Sequence, residues 1–311
     1  MRRLLTIVSI GLLVAGCSSS SDGNDELQTI SVQVASYEPV RNQTQRFIVG
    51  VLTNSNIVGF GTVDLEFEFI GTREGTVATS TGGFSAKAAY LLVAGQEPPS
   101  DTKGPRLMFP SDGVGVYGAT TTFDRAGIWN VTVRAELNGK KVAPEASFEV
   151  FDKPINPFPG EAAPRTQNRL PGAEGITPKG IDSRADAAGV IPDPELHRIS
   201  VANAIATARP TMLVVSTPTY CISRFCGPIT DTVLKLSKTY GDRMSFIHAE
   251  VWNDYEKRVL NREAAEWIYR EGADPKEPWV FVIDRAGDVA QRFDNVSSDA
   301  ELQSAIEKVL Q

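Results

Sequence analysis

Cysteine and histidine are scarce in this sequence, and basic residues are in deficit. There are three cysteines and two histidines in 311 residues. Three thiols exclude a disulfide-dense scaffold and leave one possible intramolecular pair plus an odd residue. A formal charge of −7, from 31 Lys+Arg against 38 Asp+Glu, argues against nucleic acid or an anionic lipid surface as the main partner. A hydrophobic content of 41% with 22% charged residues is that of a soluble globular protein, neither disordered nor membrane-embedded. The length gives room for two domains.

At the amino terminus, Arg2 and Arg3 precede an apolar run over 4–14, and Ala15-Gly16-Cys17 follows. This is a basic segment, an apolar core and a small-residue cleavage site, and the core is too short to span a bilayer as a mature helix. Val14-Ala15-Gly16-Cys17 resembles the lipobox of bacterial lipoproteins. The resemblance implies that 1–16 is a signal peptide cleaved before Cys17, which then carries lipid (palmitate or a similar acyl chain) on its sulfur and its new amino group. The alternative is an ordinary signal peptide with an incidental cysteine. Residues 17–26, rich in Ser, Asp and Gly, read as a flexible tether. The expected location is extracytoplasmic, lipid-anchored at the cell membrane or outer membrane. There Cys221 and Cys226, the only remaining thiols, meet an oxidising compartment.

Residues 27–151 are rich in short β patterns. Segments 28–37, 45–52, 62–70, 85–94, 114–123, 128–137 and 142–151 each show alternation or β-branched enrichment, with Gly, Pro and Asn breakers between them. Val63, Leu65, Phe67 and Phe69 alternate with Asp64, Glu66 and Glu68, as in a half-buried antiparallel strand. Asn138-Gly139 is a hairpin signal. Such spacing predicts an all-β two-sheet sandwich. The stretch Asp124-Arg-Ala-Gly-Ile-Trp-Asn-Val-Thr-Val133 resembles the penultimate strand of immunoglobulin-like (Ig-like) extracytoplasmic domains, with Trp129 expected as a core plug. Nothing in this domain assembles a catalytic or metal cluster.

Residues 152–195 hold eight prolines and five glycines, a composition expected of a linker that is largely extended or mobile, with room for parts of it to pack along a domain surface. His197 follows, just before a helix predicted over 201–208, and is expected to be exposed or to cap that helix.

Residues 196–311 form the second expected domain. An apolar strand over 212–216 runs through a Pro/Thr turn to Tyr220-Cys221 and Cys226-Gly227-Pro228, which opens a helix to 240. A strand over 244–251, a helix over 255–270, strands over 279–283 and 289–293 and a helix over 298–310 complete it. This order predicts an α/β domain, a mixed sheet with helices on both faces. The region resembles the thioredoxin fold. The resemblance rests on Tyr220-Cys221 about five residues after the first strand, Glu277-Pro278-Trp279 entering the third, and Asp284-Arg-Ala-Gly287 turning into the fourth. It implies a cis bond before Pro278 and a partner chain bound beside Tyr220, Pro278 and Trp279.

The cysteines depart from that family. Its pair is separated by two residues, whereas four separate Cys221 from Cys226. Positions five apart on a regular helix point about 140° from each other, so the pair closes only if Cys221 lies in the preceding loop or the first turn is distorted. A second alignment, matching Phe225-Cys226-Gly227-Pro228 to the family motif with its second cysteine lost, stays open, although the distance of Cys221 from the strand favours the first.

A thiol at a helix N-terminus drops from ~8.5 toward ~3.5–7.5, and Arg224 adds positive charge. Cys221 is the expected nucleophile on a protein disulfide or thiol partner, and Cys226 the resolving thiol. The family's buried Asp–Lys pair is absent. Val215 stands in place of the Asp and His248 in place of the Lys, which makes His248 a candidate proton shuttle. No cofactor or resident metal is expected. Two other readings remain: a structural or binding lipoprotein with a static disulfide, and a copper chaperone of the Sco type, for which two histidines and unclustered methionines offer little. Pro218 occupies the place where a thiol peroxidase needs Thr or Ser.

Overall fold

A computed structural model of the chain describes residues 30–76, 82–269 and 275–311. Cys17, with the expected signal peptide and tether, lies outside the described residues. Among the described residues no helix is long and apolar enough to cross a membrane.

The first half is a large antiparallel sheet of eleven strands: β1 (Ser31–Val34), β2 (Thr44–Leu52), β3 (Ile57–Gly59), β4 (Thr62–Thr72), β5 (Gly75–Thr76), β6 (Gly83–Leu92), β7 (Arg106–Met108), β8 (Gly115–Thr122), β9 (Gly127–Leu137), β10 (Lys140–Val142) and β11 (Glu145–Val150). Its main path runs β10-β9-β4-β6-β8-β2-β3-β7, with β1 beside β2, β5 beside β4 and β11 beside β9. The alternation of β4 is realised in space: Val63, Leu65, Phe67 and Phe69 are buried while Asp64 and Glu68 are exposed. The sheet curls over its own core. Phe47 of β2 meets Phe67 of β4 edge-on at 5.1 Å, and Phe123 meets Trp129 of β9 at 5.3 Å. Trp129 is 2% exposed, as expected of a core plug. Asn138 and Gly139 both take positive φ, the requirement of a tight hairpin matched to strand twist, and they join β9 to β10.

The second half carries a mixed four-stranded sheet in the order β13-β12-β16-β17, built from β12 (Thr211–Ser216), β13 (Ser245–Glu250), β16 (Trp279–Ile283) and β17 (Val289–Asp294). β12 runs parallel to β13 and antiparallel to β16, and β16 pairs antiparallel with β17. Every residue of β12 is buried because both faces are covered. Met212 and Val214 pack toward α2 (Cys226–Tyr240) and α4 (Asp299–Leu310). Leu213 and Val215 pack toward α1 (Val201–Ala206) and α3 (Arg262–Ile268).

One predicted helix differs. The 255–270 segment begins with the turn and second strand of a hairpin, β14 (Trp252–Asp254) and β15 (Val259–Leu260), and only then becomes helical. Arg258 at φ 56° reverses the chain there, a conformation that a helix interior does not tolerate.

The Pro/Gly-rich segment is not a free tether. Asp182, Ser183 and Asp193 are buried, and Ala163 joins the α1/α3 core. His197 is buried as well, at the end of a 3₁₀ turn over Pro194–His197, and so is neither exposed nor a cap of α1. Its neighbour Leu196 packs with Phe246 and Val233, which draws the turn down onto β13 and α2.

The two halves are tied directly. Arg46 of β2 donates to Glu301 of α4 at 2.6 Å, and the Ala94 amide donates to the Ser297 carbonyl at 2.8 Å.

Candidate functional site

Cys221 and Cys226 are joined by a disulfide, with their Cα atoms 5.9 Å apart. The helix begins at Cys226, so Cys221 lies in the loop before it, one of the two arrangements the spacing permits. The loop reverses at Arg224, whose φ is 65°. The two sulfurs differ in environment: Cys226 is fully buried at the first position of α2, while Cys221 is half-buried. Ile222, between them, is 89% exposed.

The loop before β16 faces this pair. The Glu277–Pro278 bond is cis. Ser223 Oγ lies 3.2 Å from Cys221 Sγ and donates to the Glu277 carbonyl at 3.3 Å, joining the cysteine loop to the Pro278 loop. A carboxylate oxygen of Glu277 and both sulfurs lie within 4.8 Å of one another. The same Glu277 carbonyl accepts the Tyr37 hydroxyl at 2.8 Å, so the first half of the chain reaches the site. Burial, reinforced by the Asp294 and Glu277 carboxylates, pushes the Tyr37 phenol far above its ordinary value.

Tyr220 stacks on Tyr255 at 4.1 Å with the rings nearly parallel. Together with Trp252 and Pro178 they line an open cleft of about 320 Å³ beside the cysteine loop. Trp279 is 2% exposed and stacks on Phe281, so it supports the site from within the core.

His248 is not among the groups around the sulfurs. It sits on β13 with its side chain wholly buried, and its Nε2 lies 3.2 Å from the Ser216 carbonyl. The Ser216 hydroxyl contacts that of Thr230 at 2.7 Å, which in turn donates to the Cys226 carbonyl at 2.7 Å. This path ends on backbone rather than on Sγ.

On its other side His248 enters a group that the sequence reading did not anticipate. Asp182, Asp193, His197 and His248 each offer one atom, and these four atoms lie within 4.8 Å of one another. Both histidines of the chain are therefore in one buried group. Arg184 covers it from outside, donating to Asp182 at 2.8 Å, to Asp193, and to Asp231 at 2.8 Å. Burial alone would raise the Asp182 carboxyl, but the two imidazoles and Arg184 outweigh it and hold that carboxyl far below the usual range. Burial alone would lower the His197 imidazole, and the facing carboxylates of Asp182 and Asp193 outweigh it and hold it above the ordinary value.

Ser223 and Glu277 adjoin residues singled out in the sequence, and adjacency is the signal that finds them. Tyr37, Asp182 and Asp193 carry no local signal. Comparison of the chain with protein-family models, curated proteins and solved structures found no match.

Proposed function

We propose that the chain is a lipid-anchored, extracytoplasmic thiol–disulfide oxidoreductase acting through Cys221 and Cys226. One observation carries the reading: a disulfide whose two cysteines are unequally buried, with the fully buried one at a helix N-terminus and the half-buried one beside the Pro278 loop. The sheet order β13-β12-β16-β17, with helices on both faces, supports a thioredoxin-like domain. In the first half, β9 lies between β4 and β11, and β2 between β1 and β8, which supports an Ig-like sandwich in which β6–β8 pairing bridges the two sheets.

In the exchange, the reduced Cys221 thiolate attacks one sulfur of a partner's disulfide. The partner's S–S bond breaks, a mixed disulfide forms, and the partner's other sulfur leaves as a thiolate that takes up a proton. Cys226 then attacks Cys221 Sγ, restoring the internal disulfide and releasing the partner's second thiol, so two electrons pass to the partner. Run in reverse, the same steps oxidise the partner. The N-terminus of α2 favours the anionic sulfur of Cys226, since its unpaired N–H groups carry positive partial charge. Ile222, Tyr220 and the backbone at Pro278 form the surface that meets the partner chain. His248 has no direct proton-transfer step, because its hydrogen-bond path stops at a carbonyl.

The test is trapping. Cys226→Ser leaves Cys221 unable to be resolved and accumulates a mixed disulfide with the partner, whereas Cys221→Ser does not. Full burial of Cys226 favours a second reading, a static disulfide in a structural or binding lipoprotein. A reduction potential below about −300 mV together with no trapped adduct would establish that alternative.

A further inference from the structure

We propose that Asp182, Asp193, His197 and His248 form a buried four-coordinate site for a divalent cation of the zinc class, separate from the cysteine pair. The ligand set is two imidazoles and two carboxylates, a combination that suits zinc.

The spacing within the group supports this assignment. His248 Nδ1 lies 3.3 Å from Asp182 Oδ2, His197 Nε2 lies 3.4 Å from Asp193 Oδ1, and His197 Nε2 lies 3.8 Å from Asp182 Oδ2. Zinc bonds of ~2.0–2.1 Å to nitrogen and oxygen set the edge of a regular tetrahedron at about 3.3–3.4 Å. Direct N–H···O hydrogen bonds close to about 2.7–3.2 Å. All three separations lie beyond the usual hydrogen-bond length; the first two equal the edge of a coordination tetrahedron and the third is about 0.4 Å longer.

The unpartnered atoms point the same way. His248 Nδ1, Asp193 Oδ1 and both ring nitrogens of His197 are buried without a hydrogen-bond partner. Leaving such atoms unsatisfied in an interior is unfavourable, and each of the first two, with His197 Nε2, faces the centre of the group. A cation at that centre satisfies three of the four orphaned atoms at once.

The surroundings resemble those that hold metal ligands in place. The contact of His248 Nε2 with the Ser216 carbonyl puts the proton on Nε2 and leaves the Nδ1 lone pair facing inward. Asp193 gives one oxygen to Arg184 and turns the other toward His197. Arg184 thus orients both carboxylates, and its single positive charge leaves an excess of negative charge for a cation to meet. Asp182 belongs to the Pro/Gly-rich segment, His197 to the 3₁₀ turn and His248 to β13, so the cation would clamp that segment onto the sheet.

The competing occupant is a proton, with His197 as an imidazolium between the two aspartates. The full chain, stripped with chelator and titrated with zinc ion, is expected to take up one equivalent. Zinc-edge X-ray absorption is expected to show only nitrogen and oxygen neighbours at ~2.0–2.1 Å, with imidazole scattering. Replacing both Cys221 and Cys226 by Ser should leave uptake unchanged, and His197→Gln or His248→Gln should weaken it at least about a hundredfold. Three results would each overturn the proposal: no stoichiometric uptake, a sulfur shell near ~2.3 Å, or full affinity in folded histidine variants. Where the histidine variants do not fold, the absorption spectrum of the unaltered chain decides alone. None of these readouts depends on thiol exchange, so loss of the metal site would leave the redox proposal standing.

Discussion

Tyr37, just beyond the first strand of the N-terminal sheet, donates its hydroxyl to the carbonyl of Glu277, the residue before the cis proline of the other half. Its ring also packs against Trp279 with centroids 5.8 Å apart. The loop that faces the disulfide is therefore held from the other half of the chain. Tyr37→Phe keeps the ring contact and removes the hydrogen bond. It should lower stability by about 1 kcal/mol, and slow thiol exchange more than this loss of fold accounts for, because the Glu277 carbonyl loses a tether and keeps that of Ser223. Denaturant midpoints and single-turnover exchange rates on the same preparation separate the two effects.

The unequal burial of the two cysteines predicts unequal chemistry. After reduction, Cys221 should be alkylated at least about tenfold faster than Cys226, because reaction requires both the thiolate and access to it. Time-resolved alkylation with peptide mass analysis checks the order. Equal rates would show that the helix start opens on reduction and would remove the structural basis for assigning the two roles.

Arg46 joins the halves through Glu301 at 2.6 Å and Asp294 at 3.4 Å, and its side chain is 12% exposed. Replacing it with Met keeps much of the stem and strands two carboxylates in a poorly solvated interface. A loss of about 2 kcal/mol is expected, below that for a fully buried pair because Glu301 stays 21% exposed. Chemical denaturation measures it, and Arg46→Lys should recover only part, since one ammonium does not reproduce a forked guanidinium.

Alkali should unfold the protein through its buried phenols. Burial pushes Tyr37, Tyr90 and Tyr117 far above their ordinary value. An unfolded tyrosine releases its proton near ~10, so above that pH the folded chain binds more protons than the unfolded one and stability falls as pH rises. Below that pH these groups contribute no slope. Of the seven tyrosines, these three should develop phenolate absorbance only together with the loss of tertiary circular dichroism.

Much of the architecture is legible along the chain because it depends on local periodicity. The seven β segments read from residues 27–151 each correspond to a strand, since alternation such as that of Val63, Leu65, Phe67 and Phe69 is written in neighbouring positions. The apolar run of β12 marks a strand covered on both faces, and Asn138-Gly139 marks the β9–β10 hairpin for the same local reason. The apolar spacing of 255–270 suits a helix throughout, while a single left-handed residue, Arg258, breaks its start.

The amino-acid sequence by itself determined most of the strands and helices and their order, and a cysteine spacing that a regular helix does not close. Tertiary structure alone decided which residues surround the sulfurs and which surround the histidines. Tyr37 reaches Glu277 across 240 positions, and Asp182 meets His248 across 66, separations at which no periodic pattern carries information. A side chain's charge and size are local properties, but its neighbours are set by how distant segments pack. The two histidines therefore read as unrelated until the fold buries them together.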